Sequence, residues 1–163
     1  IMRALAQEFV YRGQGFICRI EEQVSLLILS PNFVGPKKRP FHTIIPAFLM
    51  DKATPLMSFG VMGGPMQAQG HVQMVVRSHL WQQNPQEAID APRWRVEGGL
   101  DLACEGSMNT EVLSFLSELG HNISIKNAND AFGFGGAQLI RRLPNGFYIG
   151  GSESRKDGHV IGF

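Results

Sequence analysis

The alternation of apolar and polar positions predicts short strands and helices over most of the chain. An apolar, β-branched run at Phe41–Met50 and another at Leu56–Met62 predict a hairpin with its turn at Asp51–Pro55. The pair Gly63-Gly64 stops the second strand. A helix is then predicted, because Pro65 suits a first helical turn and the next residues recur at helical spacing. These residues are Val72, Val75, Val76, His79 and Leu80.

Two further helices are predicted in the middle of the chain. The first is a short helix at Pro85–Ala91, with Asn84 as its N-cap. The second is capped by Asn109 or Thr110, and Gly120 is placed to end it in the left-handed conformation. Its apolar residues form one face, so we expect this helix to cover a sheet. They are Val112, Leu113, Phe115, Leu116 and Leu119.

The remaining apolar runs predict strands. Arg93–Ala103 is extended, and Ile123–Lys126 is a short strand. Ala137–Arg142 and Phe147–Ile149 form a hairpin, because Asn145-Gly146 between strand-like runs is a strong hairpin signal. Together these elements predict an α/β (α+β) fold, in which a mainly antiparallel sheet is covered by helices.

Composition narrows the class of protein. The chain has 163 residues, 44% of them hydrophobic and 18% charged, which is ordinary for one globular domain. A formal net charge of +1 gives nucleic acid or an anionic membrane nothing to bind. No apolar run is long enough to span a bilayer, so we expect a soluble protein, in a bacterial cytoplasm or periplasm that the sequence does not distinguish.

Cysteine and histidine positions predict no metal site and no cofactor. Cys18 and Cys104 are too few for a disulfide framework and lack zinc-site spacing, so we expect both to be small buried hydrophobes. No histidine has metal-ligand spacing with a carboxylate.

The candidate chemistry lies around the double glycine. Backbone N–H groups of Gly63 and Gly64, next to the positive end of a helix, can stabilise an oxyanion or bind a carboxylate, although a glycine pair is also common in tight turns. Thr43 could donate a hydrogen bond to a ligand, and His42 is either a ligand-binding or a core histidine. Arg93 could clamp a carboxylate or pair with Asp90 in a structural corner.

The tail Ser152–Gly158 is predicted to be an exposed polar turn. Nothing in its residue types calls for a catalytic role.

Several segments, in this order, resemble the gamma-glutamyltransferase (gamma-glutamyltranspeptidase) family, in particular its bacterial members. The matching segments are Gly35–Ala47, Ser58–Gly64, Gln69–Gln73, Asn84–Trp94 and the tail from Asn145 through Gly151-Ser152 to Gly158. The resemblance covers residues 30–163, whereas residues 1–29 match poorly. We therefore expect residues 30–163 to be the C-terminal part of a small subunit.

The resemblance implies an N-terminal-nucleophile hydrolase fold, an αββα sandwich built from two subunits cut from one precursor. In that family a threonine exposed by self-cleavage attacks a gamma-glutamyl amide, and water or an amine resolves the acyl-enzyme. It implies that Gly63 and Gly64 are oxyanion-hole residues and that His42 and Thr43 occupy the positions that bind the donor's carboxylate. The implied partners are the large subunit and a gamma-glutamyl small molecule such as glutathione.

The nucleophile of the family has no counterpart in this sequence, since Ile1 has no hydroxyl and the threonines are internal. We therefore expect the isolated chain to be inactive. Three readings stay open: part of a gamma-glutamyltransferase or glutathione hydrolase, part of a glutaryl or cephalosporin acylase-like amidohydrolase, or an inactive remnant that acts as a binding or structural domain. Exposed sheet edges would also favour association, including a homo-oligomer.

Overall fold

The computed structural model describes residues 36–37, 44–127 and 133–163. The chain divides into two compact units, 1–44 and 45–163, and the architecture below is that of the second. Its elements in chain order are β1 (Ala47–Asp51), β2 (Thr54–Met62), α1 (Met66–Val75) continued by a π-helical turn (Val76–Leu80), α2 (Pro85–Asp90), β3 (Trp94–Gly98), β4 (Asp101–Glu105), α3 (Thr110–Glu118), β5 (Asn122–Lys126), β6 (Gly136–Arg142) and β7 (Tyr148–Ser152).

The strands form two sheets. The first has four strands in the order β1-β2-β6-β7, and all its pairs are antiparallel. The second has the order β3-β4-β5, with β3 antiparallel and β5 parallel to β4. The parallel pair is possible because α3 carries the chain from the end of β4 back to the start of β5. The predicted mixed α/β fold with mainly antiparallel sheets is confirmed.

The core lies on one face of the four-stranded sheet. Met57, Phe59 and Val61 alternate along β2 with less buried residues, as expected for a strand with one face in the core. They pack with residues of β6, α1 and α2, which are Ala137, Leu139, Met74 and Ile89. The glycine pair follows directly at the end of β2, so this core fixes the strand that leads into it.

The local signals for α2 and α3 are confirmed. Asn84 caps α2 and forms a capping box with Glu87, and Asn109 caps α3. Gly120 follows α3 with φ of 91°, the left-handed conformation expected there. α3 contacts β5 of the three-stranded sheet, as expected, although none of its residues is buried and Phe115 is 59% exposed.

The helix predicted after the glycine pair is confirmed, but its recurring apolar residues do not all face the core. Val72 and Leu80 are exposed, whereas His71, Gln73 and Arg77 are buried. The reason is that these polar side chains bond to backbone groups of neighbouring segments. Gly70 lets this face of α1 approach β2 closely. A Cβ at this position would lie 2.5 Å from a methyl carbon of Val61, so only glycine fits there.

Two smaller expectations are tested by the described residues. Cys104 is buried, as expected, whereas Cys18 lies outside the described residues. No helix in the described part of the chain has the length and apolar character needed to cross a bilayer.

Candidate functional site

The glycine pair connects the end of β2 to the start of α1. Gly63 and Gly64 have φ values of 127° and 55°, conformations that L side chains rarely adopt. Their carbonyl oxygens accept hydrogen bonds from the amides of Met66 and Gln67, both at 3.1 Å. Gly63 is buried, whereas Gly64 is exposed. The chain therefore turns sharply into the helix and leaves one of the two glycines open to an approaching molecule.

Gly63 lies directly against the segment that precedes β6. A Cβ on Gly63 would be 2.8 Å from the Cα of Gly135. Gly135 also has a positive φ, of 74°, and a Cβ there would be 2.2 Å from the carbonyl oxygen of Met62. The two backbones are therefore in contact, with no room for a side chain between them.

A buried ion pair holds that same segment. The guanidinium of Arg93 donates to the carbonyl oxygens of Phe134 (3.1 Å) and Gly135 (3.3 Å), and to Oε2 of Glu153 at 2.6 Å. The same carboxylate oxygen accepts from the amide of Ala137 at 2.6 Å. Both side chains of the ion pair are completely buried.

These contacts correct two expectations. Arg93 pairs with Glu153 rather than with Asp90, whose carboxylate accepts from Gln86. The tail Ser152–Gly158 is not simply an exposed turn, because Glu153 is 1% exposed. Charged residues of the tail are turned inward because buried guanidinium and amide groups need a carboxylate partner.

Arg155 links this ion pair to the other sheet. Its guanidinium makes a two-bond contact with the carboxylate of Glu105 on β4, with both distances 2.7 Å. A third bond of 2.7 Å joins it to Glu153. Burial acts to lower the pKa of Arg155, but the bonds to Glu105 and Glu153 outweigh it and raise the pKa. Arg155 therefore stays charged at any pH at which the fold is stable.

Two other buried arginines have lowered pKa values. Burial lowers the pKa of Arg77 to about 10, and the charges of Arg93 and Arg155 add to this effect. Arg77 donates to the carbonyl oxygens of Ala88 and Ala91, at 3.2 and 3.1 Å, and to that of Pro92. Burial also lowers the pKa of Arg93, and the charge of Glu153 offsets only part of it.

Two glutamines dock α1 onto the edge of the three-stranded sheet. The side-chain amide of Gln73 donates to the carbonyl of Trp94 at 2.8 Å and accepts from its amide at 3.3 Å. Gln69, one helical turn earlier, makes the same pair of bonds with Val96, at 3.2 and 2.7 Å. The spacing of four residues on the helix matches the spacing of two on the strand, so α1 occupies the free edge of β3.

The segment that precedes β1 also bonds to α1. The amide of Ile45 donates to Gln67 at 3.2 Å, and its carbonyl oxygen lies 2.8 Å from Nε2 of His71. His42 and Thr43, the predicted substrate-binding residues, lie outside the described residues.

The comparison with known proteins identifies the family. The sequence model described as gamma-glutamyltranspeptidase matches residues 12–163. The chain belongs to the gamma-glutamyltranspeptidase family. Proteins of this family are processed into large and small subunits that associate.

Three relatives show how far this gamma-glutamyltranspeptidase chain resembles known proteins. It is 31% identical to the glutathione hydrolase-like YwrD proenzyme of Bacillus subtilis (strain 168), over 80% of this chain and 26% of that protein. It is also 31% identical to the oxamate amidohydrolase proenzyme of Klebsiella pneumoniae, over 94% of this chain and 29% of that protein. The solved structure of the cephalosporin acylase from Bacillus halodurans superposes with a TM-score of 0.71 and 41% identity, covering 82% of this chain and 25% of that chain.

The chain therefore spans between a quarter and a third of the length of these three relatives. The recognition of the family and of its N-terminal-nucleophile hydrolase fold from the ordered motifs is confirmed. The roles assigned to Gly63, Gly64, His42, Thr43 and Arg93 stay predictions.

Sequence reasoning missed part of the polar interior of this gamma-glutamyltranspeptidase chain. Glu105 and Glu153 are almost fully buried, and Arg155 joins them. One signal was available for Glu105, because it directly follows the apolar run Leu102–Cys104 of a buried strand. Glu153 offered no such signal, since polar residues surround it in the sequence.

The described residues contain no group of three or more His, Cys, Asp and Glu side chains that could hold a metal ion. A cavity of about 400 Å³ lies at the far end of β2, beside the π-helical turn and the β6–β7 hairpin. Neither glycine of the pair lines it.

Proposed function

We propose that the protein containing this chain hydrolyses or transfers the acyl group of small-molecule amides, with Gly63 and Gly64 stabilising the negative charge that develops on the carbonyl oxygen. The observation that carries the proposal is the position of the pair: two glycines at positive φ between β2 and α1, one anchored and the other exposed. The positive end of the α1 dipole lies at the same place. The matched relatives named above are an amidohydrolase, an acylase and a glutathione hydrolase-like protein, all of which cleave amide bonds by name.

The proposed reaction has two balanced steps. A hydroxyl from a threonine outside this sequence adds to the amide carbonyl, whose oxygen becomes negative and is stabilised by the glycine amides. The intermediate collapses to an acyl-enzyme as the amine leaves with the proton that the hydroxyl lost. Water, or an acceptor amine, then attacks the ester carbonyl through the same oxyanion site and releases the acyl group.

The proposal assigns recognition of the acyl donor to His42 and Thr43, with a gamma-glutamyl compound such as glutathione as the donor. Ile45, two residues further along the chain, is bonded to α1, the helix that begins after the glycine pair. A glutaryl donor is the second candidate, favoured by the 41% identity to a cephalosporin acylase. The large subunit of the same precursor is the proposed partner, because both curated relatives are proenzymes.

The test uses the complete, processed protein. Hydrolysis of gamma-glutamyl amides, glutaryl amides and oxamate is measured for the wild type and for Gly64→Val. We expect turnover of at least one amide, and a kcat at least about 100-fold lower in the variant, as for loss of an oxyanion-hole donor. The residue 1–163 chain alone should show no turnover.

Gly99→Val is the matched control. Gly99 has φ of 54°, nearly that of Gly64, and a Cβ there meets no atom within 4 Å. The backbone strain is therefore similar in both variants, but Gly99 lies in the β3–β4 turn. A kcat for Gly64→Val equal to that of Gly99→Val, or no amide hydrolysis by the complete wild-type protein, contradicts the proposal.

A further inference from the structure

The segment before β6 and the first residues of β6 are held at three backbone atoms by one ion pair. Arg93 bonds the carbonyl oxygens of Phe134 and Gly135, and Glu153 bonds the amide of Ala137. These bonds are buried, and the ion pair itself is shielded from solvent. The segment therefore has little freedom to move while the ion pair is intact.

Gly63 rests on this segment. A Cβ on Gly63 would meet the Cα of Gly135, and a Cβ on Gly135 would meet the carbonyl oxygen of Met62, so the two backbones leave no room for a side chain between them. Since protein interiors transmit displacement rather than absorb it, a movement of residue 135 moves residue 63. The backbone of Gly63 is thus held by the segment before β6 as well as by the start of α1.

The buried ion pair contributes little net stability, because removing its charges from water costs free energy that offsets their attraction. Two charges have left water, and Nε of Arg93 is buried without a hydrogen-bond partner. An apolar filling of the same space is often as stable, whereas only directional bonds can fix carbonyl and amide groups at defined positions. The arrangement therefore suits positioning better than it suits stabilisation.

We propose that Gly135, with the buried Arg93–Glu153 ion pair behind it, is a positioning residue that holds the backbone of Gly63 and Gly64 in the orientation needed to bind an oxyanion. The inference rests on the function proposed above for the glycine pair. None of the three residues touches the substrate. Each acts through the backbone of the pair, so its replacement changes the transition state more than the bound substrate.

Gly135→Ala in the complete, processed protein is the primary test. The added methyl must displace either Met62 or residue 135 itself, so we expect kcat to fall at least about tenfold while KM stays within about twofold. Rates are taken per mole of cleaved protein, and unfolding midpoints are recorded beside them. A loss of stability with an unchanged kcat overturns the positioning role.

Gly146→Ala is the matched control. Gly146 also has a positive φ, of 89°, but a Cβ there meets no atom within 4 Å. Both variants therefore carry a similar backbone strain, and only Gly135→Ala pushes on the glycine pair. Equal kcat values in the two variants overturn the inference.

Glu153→Gln is the second variant, and it decides the question if Gly135→Ala does not fold. It retains an oxygen that can accept from Ala137 but leaves the charge of Arg93 uncompensated. We expect the same pattern, a kcat reduced at least about tenfold with little change in KM. If this variant is unfolded as well, Arg93→Lys replaces it. Nη1 of Arg93 bonds the two carbonyl oxygens while Nη2 bonds Glu153, and the single nitrogen of a lysine cannot replace both.

The results separate the inference from the function on which it rests. If Gly64→Val loses activity while Gly135→Ala and Glu153→Gln keep a wild-type kcat, only the positioning role fails. If Gly64→Val keeps full activity, the oxyanion function fails and the inference fails with it.

Discussion

The carboxylate of Glu153 accepts four hydrogen bonds although it is almost inaccessible to solvent. Oε2 accepts from Arg93 and from the amide of Ala137, and Oε1 accepts from the amide and the guanidinium of Arg155. Burial acts to raise the pKa of this carboxyl, but the charge of Arg93 and these bonds outweigh it, so the pKa lies below its ordinary 4.5. This stabilisation is present above the ordinary carboxyl range and is lost as the pH falls through the lower, folded-state value.

Glu153→Gln should lower the free energy of unfolding at pH 7 by about 3 kcal/mol, because it leaves a buried guanidinium without its counter-charge. The difference between wild type and variant should shrink as the pH falls below about 4.5. The carboxyl of the unfolded wild type binds a proton first, and at lower pH the folded protein also loses its ionised carboxylate. Denaturant titrations at neutral and acidic pH measure both effects.

Glu97→Gln provides the comparison. Glu97 lies 2.6 Å from Arg95, the same short distance, but the two side chains are 36% and 25% exposed. We expect a change below about 0.5 kcal/mol, as for other solvent-exposed ion pairs. Similar losses in the two variants would show that burial does not determine the effect.

At the scale of elements, side-chain amides complete the edges of both sheets. Gln69 and Gln73 of α1 pair with the backbone of β3, and Gln86 of α2 pairs with Ser152 of β7, at 2.9 and 3.1 Å. Each glutamine donates one bond and accepts one, as a neighbouring strand would. Edge strands that would otherwise present unpaired backbone groups are thereby covered by helices.

Gln73→Met should destabilise the chain by about 1 to 3 kcal/mol, because the amide and carbonyl of Trp94 lose their partners in a partly buried setting. Gln69→Met should cost clearly less, since water can replace its exposed bonds to Val96. Both substitutions keep side-chain length and helix propensity, so the difference between their free energies of unfolding isolates burial. Equal costs would be evidence against the pairing of Gln73 as a stabilising contact.

At the scale of the molecule, the buried charges connect the two sheets. Glu105 belongs to the three-stranded sheet, and Glu153 directly follows β7 of the four-stranded sheet. Arg155 bonds both carboxylates, and Arg93 bonds Glu153 through its side chain and Glu105 through its amide. The sheets are therefore joined by directional bonds as well as by apolar packing.

A double-mutant cycle of Arg155→Met and Glu105→Gln measures this connection. We expect the double variant to be less destabilised than the sum of the single variants by about 1 to 3 kcal/mol. Arg155→Met alone leaves the buried carboxylate of Glu105 without its guanidinium partner, and Glu105→Gln alone removes one of the two carboxylates that compensate the charge of Arg155. The cycle of Arg95→Met and Glu97→Gln, on the exposed pair, should give a coupling below about 0.5 kcal/mol. Additivity in the buried cycle would show that the two charges act independently.

Most of the helices and strands could be predicted because their signals are local. Asn84 and Glu87 form a capping box three residues apart, and Asn145-Gly146 closes the hairpin of its two neighbouring strands. Gly63 and Gly64 were predicted as the end of a strand and the start of a helix for the same reason. The family could also be recognised, because the order and spacing of several short motifs are properties of the sequence and do not depend on the tertiary structure.

The sequence by itself thus determined where the chain turns, where its helices begin and which adjacent strands form a hairpin. Only the tertiary structure decided which polar side chains are buried, because their partners lie far away: Arg93 and Glu153 are 60 positions apart, and Gln73 and Trp94 are 21. The periodicity of Val72 and Leu80 indicated a helix, but it carries no information on whether Gln73 and Arg77 find hydrogen-bond partners in the interior. A polar group can enter the interior wherever a distant segment supplies its hydrogen bonds, and that condition is met only once the fold has formed.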